Sequence, residues 1–254
     1  MAASVIGAQL YTLRDFTKTP ADVRTTFAKV REMGYEAVQV SGLGPIAPEE
    51  LKDIAQETDL KIVATHISYQ QIAENPQQVI DEHKLWGCPH VAIGGMPGEY
   101  RSEEGFHNFA REASQAVRPL IDAGLTFSYH NHSFELERFD GTTGLDIIYA
   151  ESDPAVFSAE IDTYWIQHGG GNPVSWLRKL KDRMRIVHFK DMAIVEGKQV
   201  YAEVGEGNLE WPEIIQACRE AEVEWYLIEQ DLCQRDPFES LKMSLDNLRE
   251  LDLY

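Results

Sequence analysis

Four side chains able to bind a metal ion stand where four predicted strands end. They are Glu135 after YHNHSF, Asp162 at the end of SAEID, His188 within RIVHFKD and Glu229 within WYLIEQD. In a parallel barrel the carboxyl ends of all strands open on one face, so these distant groups can converge. Three carboxylates and one imidazole suit a divalent cation such as Mn²⁺, Mg²⁺, Co²⁺ or Zn²⁺. The sequence therefore predicts a metal site and, with it, an enzyme.

The ligand from the fifth strand has alternatives, because Glu135 lies three residues beyond the apolar alternation of that strand. Glu137, or a histidine of the HNH sequence that contains His130 and His132, could take its place. These two histidines, with His66 at the end of the third strand, could also be hydrogen-bonded polar groups beneath the barrel mouth. The sequence leaves the strand-five ligand open.

The elements that would position these residues alternate between strand and helix along the whole chain. Apolar runs predict strands over 5–10, 35–42, 61–68, 90–95, 125–132, 155–162, 184–191 and 224–231. Capping residues and helical spacing predict helices over 20–33, 48–57, 76–85, 103–123, 144–152, 174–180, 211–221 and 238–253. A small hairpin is expected near 193–204, and Gly205-Glu206-Gly207 is expected to shape the turn into the next helix.

Eight such units in 254 residues favour an α/β fold with a single closed (β/α)8 TIM barrel, one domain over 1–254, rather than an open sheet.

The balance of 42 acids against 23 bases gives a net charge of −19, which disfavours nucleic acid and anionic membranes as partners. No apolar stretch approaches the length of a membrane span, no signal peptide is visible, and the three cysteines form no CxxC. These features are typical of a cytoplasmic protein.

The chain resembles the xylose isomerase-like TIM barrels of the sugar phosphate isomerase/epimerase superfamily. The resemblance rests on IGAQLYTLRD, ATHIS, YHNHSFE, AEIDTYW, IVHFKD, VGEGNLEW and YLIEQD. It implies that Asp162, His188 and Glu229 are metal ligands. In the epimerases a glutamate lies inside the fifth strand, whereas here the comparable FSY has no acid and Glu135 is the nearest candidate. The YHNH sequence is more similar to the inosose dehydratase and keto-sugar-processing branches.

The resemblance implies a metal-dependent isomerase or epimerase acting on a small ketose or polyol ketone through an enediolate. A dehydratase or keto-sugar lyase on the same site is the alternative, and a sugar-binding barrel without activity is the alternative outside enzymes. The expected partner is a small sugar or polyol, and a homodimer is possible because many superfamily members pair. Catalytic roles are expected for Glu229, Glu135, His130 and Lys190, and substrate binding for His66, His132, Tyr164, Trp165 and Gln9.

Overall fold

The computed structural model of the protein describes residues 5–251. Eight parallel strands close into a barrel in which chain neighbours are also spatial neighbours, and the last strand pairs with the first. This confirms the predicted fold class. The strands are β1 Val5–Gln9, β2 Ala37–Val40, β3 Lys61–His66, β4 His90–Ile93, β5 Thr126–His130, β6 Ser158–Asp162, β7 Met184–Phe189 and β8 Trp225–Ile228.

Helices surround this barrel and follow its strands. They are α1 Pro20–Glu32, α2 Pro48–Glu57, α3 Tyr69–Glu74, α4 Pro76–Trp86, α5 Glu103–Ala116, α6 Arg118–Asp122, α7 Gly144–Glu151, α8 Thr163–His168, α9 Pro173–Lys179, α10 Trp211–Glu220 and α11 Pro237–Glu250. The start of α1 follows its sequence signal, because Thr19 and Asp22 form a reciprocal capping box around Pro20. Within residues 5–251, we find no helix long and apolar enough to cross a membrane.

The structure departs from the predicted helices in four places. The helix expected over 103–123 breaks into α5 and α6, because Pro119 has no N–H and its ring would clash with the preceding turn. The short helices α3 and α8 were not predicted. The last helix ends at Glu250, whereas residues 252 and 253 of the prediction lie outside the described part of the chain. The predicted hairpin forms from Asp191–Val195 and Lys198–Ala202, two residues earlier than expected.

The interior of the barrel has an apolar floor and a polar layer at its carboxyl end. Side chains alternate between the two faces of each strand, so residues two apart point into the barrel at successive heights. Ala37, Val63, Ala64, Ile186 and Leu227 form the buried apolar cluster. One alternation further along the same strands stand Gln39, His188 and Glu229, all buried. The fold therefore concentrates polar groups at one mouth.

Asp191 organises the loop between the hairpin and α10. Its buried carboxylate accepts hydrogen bonds from the backbone N–H groups of Gly205 (3.0 Å), Gly207 (3.1 Å) and Leu209 (3.2 Å) and from Nε1 of Trp211 (2.5 Å). A Cβ at Gly207 would lie 2.2 Å from Asp191 Oδ1, so only glycine allows this approach. The turn expected at Gly205-Glu206-Gly207 is thus built around one carboxylate.

Replacing Asp191 by alanine is expected to lower the free energy of unfolding by about 2–3 kcal/mol, because several buried donors lose their acceptor. Urea denaturation of Asp191→Ala beside the exposed-site control Asp182→Ala measures the effect. The control should stay within about 0.5 kcal/mol of the parent protein. An Asp191→Ala variant as stable as that control would show that the loop does not depend on this carboxylate.

Candidate metal centre and barrel mouth

Four candidate metal ligands meet at the carboxyl end of the barrel. Their ligand atoms all lie within 4.8 Å of one another, and all four side chains are buried. They come from β5, β6 and β7 and from the residue that follows β8. The members are His130, Asp162, His188 and Glu229, which we call the metal group. Three of them are residues predicted as ligands, and His130 belongs to the HNH sequence that was the alternative source of the fourth.

Glu135 lies outside the metal group, contrary to the expectation from the sequence. Its Oε1 accepts a hydrogen bond from the hydroxyl of Tyr129 (2.6 Å), and both its oxygens lie within 3.0 Å of the backbone nitrogen of His132. Strand β5 ends at His130, and the chain then forms a 3-10 turn over Phe134–Leu136 that folds the carboxylate back beneath the loop. Glu137, the other acidic alternative, is exposed.

Asp162 is oriented by the start of α8. Its Oδ1 accepts a hydrogen bond from the backbone N–H of Trp165 (2.9 Å) and so caps the helix, while its Oδ2 lies 3.1 Å from Nε2 of His130. The backbone N–H of Asp162 donates to Oδ1 of Asn131 (3.0 Å). One carboxylate oxygen therefore stabilises the fold and the other faces the metal group.

Glu160 supports the metal group from one alternation deeper in β6. Its Oε1 lies 3.1 Å from Nε2 of His188 and accepts a hydrogen bond from Nε2 of Gln39 (2.7 Å), and its Oε2 lies 2.9 Å from Nε2 of His66. Because Nε2 of His188 faces Glu160, Nδ1 of the same ring faces Glu229 at 2.9 Å. A carboxylate behind a histidine in this way fixes the tautomer and orientation of a metal ligand.

Site prediction from the sequence missed Glu160, although the alternation of SAEID places it on the same strand face as Asp162. Burial alone would raise the pKa of Glu160, but the His188 and His66 rings lower it well below its usual value. Burial likewise would lower the pKa of His188, yet Glu160 and Glu229 raise it to about 10. Glu160 is therefore a buried anion held by the rings around it.

Lys190 places an ammonium group beside the metal group. Its Nζ lies 3.0 Å from Asp162 Oδ2, 2.8 Å from Glu229 Oε2 and 2.7 Å from Asp231 Oδ2. Burial would lower the pKa of Lys190, but these three carboxylates raise it well above its usual value. The Lys190 ammonium, an acid, thus lies beside the Glu229 carboxylate, a base, at the barrel mouth.

The residues predicted to bind a substrate lie around this centre. Nδ1 of His132 and Nε1 of Trp165 are buried without a hydrogen-bond partner, and their rings are 5.0 Å apart. Tyr164 stacks on Tyr201 at 4.2 Å. The rings of His132, Tyr164, Trp165 and Tyr201 form an aromatic wall. Lys190 contacts both this wall and the metal group, since its Nζ lies 5.7 Å from the ring of Trp165. Unsatisfied buried donors of this kind call for a ligand or an ordered water.

Gln9 and His66 lie deeper than the aromatic wall. Nε2 of Gln9 lies 3.4 Å from Nδ1 of His66, while Oε1 of Gln9 accepts a hydrogen bond from the backbone of Tyr11. Gln9 is fully buried, and His66 is bonded to Glu160 on its other side. His66 also lines the open cavity next to the metal group. His66 therefore faces the open cavity at the barrel mouth.

Residues 27–251 match the model of the family described as xylose isomerase-like TIM barrel. Among proteins of curated function, none is significantly similar to this chain in sequence. Many solved structures are similar in fold. A sugar phosphate isomerase/epimerase from Parabacteroides distasonis ATCC 8503 is 22% identical, with a TM-score of 0.81 over 98% of this chain and 94% of that chain.

Two further neighbours differ in their reactions. D-allulose 3-epimerase from Methylomonas sp., solved in complex with D-allulose, is 16% identical, with a TM-score of 0.72 over 99% of this chain and 98% of that chain. The probable 3-DHS dehydratase AsbF from Bacillus anthracis is 14% identical, with a TM-score of 0.72 over 96% of this chain and 98% of that chain. At these identities the likenesses show a shared fold.

Proposed function

The chain belongs to the xylose isomerase-like TIM barrel family, and from this premise we propose that it is a divalent-metal-dependent enzyme acting on a small ketose or polyol ketone. The observation that supports the proposal most is the metal group, with four ligand atoms within 4.8 Å of one another at the barrel mouth. In TIM-barrel enzymes the active site lies at this carboxyl end of the strands. Isomerisation or epimerisation is the reaction we assign.

The donor set fits a divalent transition metal. Two imidazoles and two carboxylates form the metal group, one imidazole more than the sequence predicted. Imidazole suits Mn²⁺, Co²⁺ or Zn²⁺ better than Mg²⁺, which prefers oxygen ligands and bound water. When bound, such an ion would polarise the carbonyl and adjacent hydroxyl of a ketose and stabilise the enediolate left by loss of the intervening proton.

The protein's own groups can move that proton. The Glu229 carboxylate provides a base, and the Lys190 ammonium 2.8 Å away provides an acid. His132 and Trp165 offer ring N–H groups to substrate oxygens, and the aromatic wall at Trp165 and Tyr201 can contact a sugar face. Return of the proton to the neighbouring carbon gives isomerisation, and return to the opposite face gives epimerisation.

A dehydratase or lyase reaction is the second candidate, and Lys190 favours it. Its ammonium is positioned to protonate a departing β-oxygen, since it lies at the edge of the metal group rather than within it. The presence of His130 in place of a strand-five carboxylate also leaves the metal group with two acids, Asp162 and Glu229. Epimerisation between two faces needs a proton-transferring group on each face, whereas elimination needs one base for the C–H proton and one acid for the departing oxygen.

The test is metal analysis of the purified protein, followed by NMR of a panel of ketoses and inositol ketones in D₂O. Metal-dependent deuterium incorporation with a new sugar supports isomerisation or epimerisation, and loss of water supports the dehydratase. Tight sugar binding by the metal-loaded protein, with no exchange on any compound, would instead support a binding barrel without activity.

Replacing Lys190 by methionine is expected to lower turnover by about 10²–10⁴-fold, the usual contribution of a general acid or base. Metal affinity should stay equal or rise, because removing a cation beside the metal group lowers electrostatic repulsion. Isothermal titration with Mn²⁺ and the exchange assay measure the two effects. Lys198→Met, on the exposed hairpin, is the control and should change neither. Unaltered turnover in Lys190→Met would remove Lys190 from the mechanism.

A further inference from the structure

An open cavity of about 430 Å³ lies beside the metal group, and the proposed reaction does not use all of it. It is lined by His66, by Gly94 and Gly95 after β4, and by His132 after β5. Arg101 forms the outer rim. The His66 ring lies 5.1 Å from that of His130, and the His132 ring also lies 5.1 Å from it. One small molecule could therefore contact the metal group and this cavity together.

The cavity is basic, although the chain as a whole is strongly acidic. Among the described residues that line it there is no aspartate or glutamate, whereas the whole sequence has 42 acids and 23 bases. Within residues 5–251, no carboxylate forms an ion pair with Arg101. By contrast, Arg111, Arg118 and Arg178 each pair with an acid on the surface. An arginine without an acid partner at the edge of a cavity is available to an anion from outside.

Arg101 is held in place by contacts other than an ion pair. Its Nε and Nη2 donate to the backbone carbonyl of Met96 (3.3 and 3.1 Å), and its guanidinium stacks on the Phe134 ring at 4.1 Å. Phe134 in turn lies 6.0 Å from the His132 ring, nearly parallel to it. These contacts restrict the guanidinium before any ligand arrives, which lowers the entropy lost on binding.

The cavity also contains a ring nitrogen without a partner among the described residues, and it is bounded by two glycines. Nδ1 of His132 is buried without a hydrogen-bond partner. A Cβ at Gly94 would lie 2.9 Å from Nδ1 of His66, and one at Gly95 would lie 3.1 Å from Cε1 of His132. A side chain at either glycine would therefore crowd the His66 or the His132 ring, so the shape of the cavity depends on these two positions.

We propose that this cavity binds an anionic substituent, a carboxylate or a phosphate, of the ketose whose hydroxyketone end reaches the metal group. Arg101 contributes the charge, and the buried Nδ1 of His132 lies ready for a hydrogen bond nearer the centre. The inference rests on the proposed function for the other end of the substrate. An anionic substituent is compatible with the acidity of the whole chain, because the described residues that line this cavity include Arg101 and no carboxylate.

The experiment compares three ketoses on the metal-stripped protein by isothermal titration: D-fructose, D-fructose 6-phosphate and 5-keto-D-gluconate. At least one anionic ketose is expected to bind about tenfold or more tightly than D-fructose, as charge-assisted hydrogen bonds to arginine allow. Arg101→Gln should remove this preference. Arg138→Gln is the matched control, since Arg138 is exposed, is hydrogen-bonded to the Gly141 carbonyl, and lies outside the cavity.

The inference is supported if the protein prefers D-fructose 6-phosphate, 5-keto-D-gluconate or both over D-fructose. The preferred compound then identifies the anion. Equal binding of all three ketoses, no binding of any, or a preference that survives in Arg101→Gln overturns it. The titration needs no metal and no turnover, so it is separate from the proposed reaction. If the Arg101-dependent preference is found but the metal-loaded protein exchanges no proton, the reaction fails and the anion subsite stands.

Discussion

Replacing Glu229 by glutamine is expected to weaken divalent-metal binding by at least about 100-fold and to abolish metal-dependent proton exchange on ketoses. The magnitude follows because loss of an outer partner of a metal ligand already costs about 10–100-fold, and Glu229 is a proposed ligand itself. Its carboxylate also lies 2.9 Å from His188 and 2.8 Å from Lys190, so the charge balance of the whole centre changes. Glutamine keeps the shape of the side chain and isolates the effect of the charge.

Mn²⁺ titration and thermal unfolding, measured on the same preparations, separate metal loss from misfolding. Glu213→Gln, on the exposed side of α10, removes one negative charge away from the site and should leave both measurements unchanged. A Glu229→Gln protein that binds Mn²⁺ as tightly as the parent would show that this carboxylate is not a ligand.

Removing the Glu160 carboxylate is expected to affect both stability and metal binding. Glu160→Ala should lower the free energy of unfolding by about 3–5 kcal/mol, because removal of one partner leaves the rest of a buried charged network uncompensated. The groups left without it are Gln39, His66 and His188. Glu160→Gln keeps the volume and should weaken Mn²⁺ binding by about 10–100-fold, since His188 loses the anion that orients it.

Urea denaturation and Mn²⁺ titration check these two effects. Glu151→Ala is the control, because Glu151 also contacts a histidine and an arginine, but on the surface. Exposed pairs of that kind contribute about 0–1 kcal/mol. If Glu160→Ala is no less stable than Glu151→Ala, the network around Glu160 does not stabilise the barrel. An unchanged Mn²⁺ affinity in Glu160→Gln would show that it does not position His188.

The barrel and three of its four clustered candidate ligands follow from local sequence patterns. Apolar runs set the eight strands, and strict alternation within a parallel strand decides which side chains face the interior. Asp162, His188 and Glu229 have the interior parity at the ends of their strands, so their convergence could be predicted once the barrel closed. The family resemblance identified the same three residues independently of that geometry.

The fourth ligand position depends on where β5 stops, which its apolar pattern does not determine. Alternation continues through the HNH sequence, but the strand ends at His130 and a 3-10 turn begins at Phe134. That turn directs Glu135 to Tyr129 and leaves His130 in the metal group. The hydrogen bonds that stabilise this turn join residues that come together only in the folded chain.

The alternation of side chains along a strand also does not determine how deep in the barrel each side chain lies. SAEID shows that Glu160 and Asp162 share a face, but only the closed barrel brings the Glu160 side chain to His188 of the next strand and to Gln39 across the barrel. The same limit applies to Lys190, whose long side chain reaches three carboxylates at the ends of two other strands. Contacts across the barrel are tertiary, and no local pattern encodes them.

The most direct test is a crystal structure of the protein soaked in Mn²⁺, with anomalous difference density recorded near the manganese edge. One peak is expected among the ligand atoms of His130, Asp162, His188 and Glu229, at coordination distances of about 2.0–2.3 Å. Density for Mn²⁺ only at other residues, or none at a concentration that saturates the protein in solution, would contradict the assignment of a shared divalent ion to these four side chains.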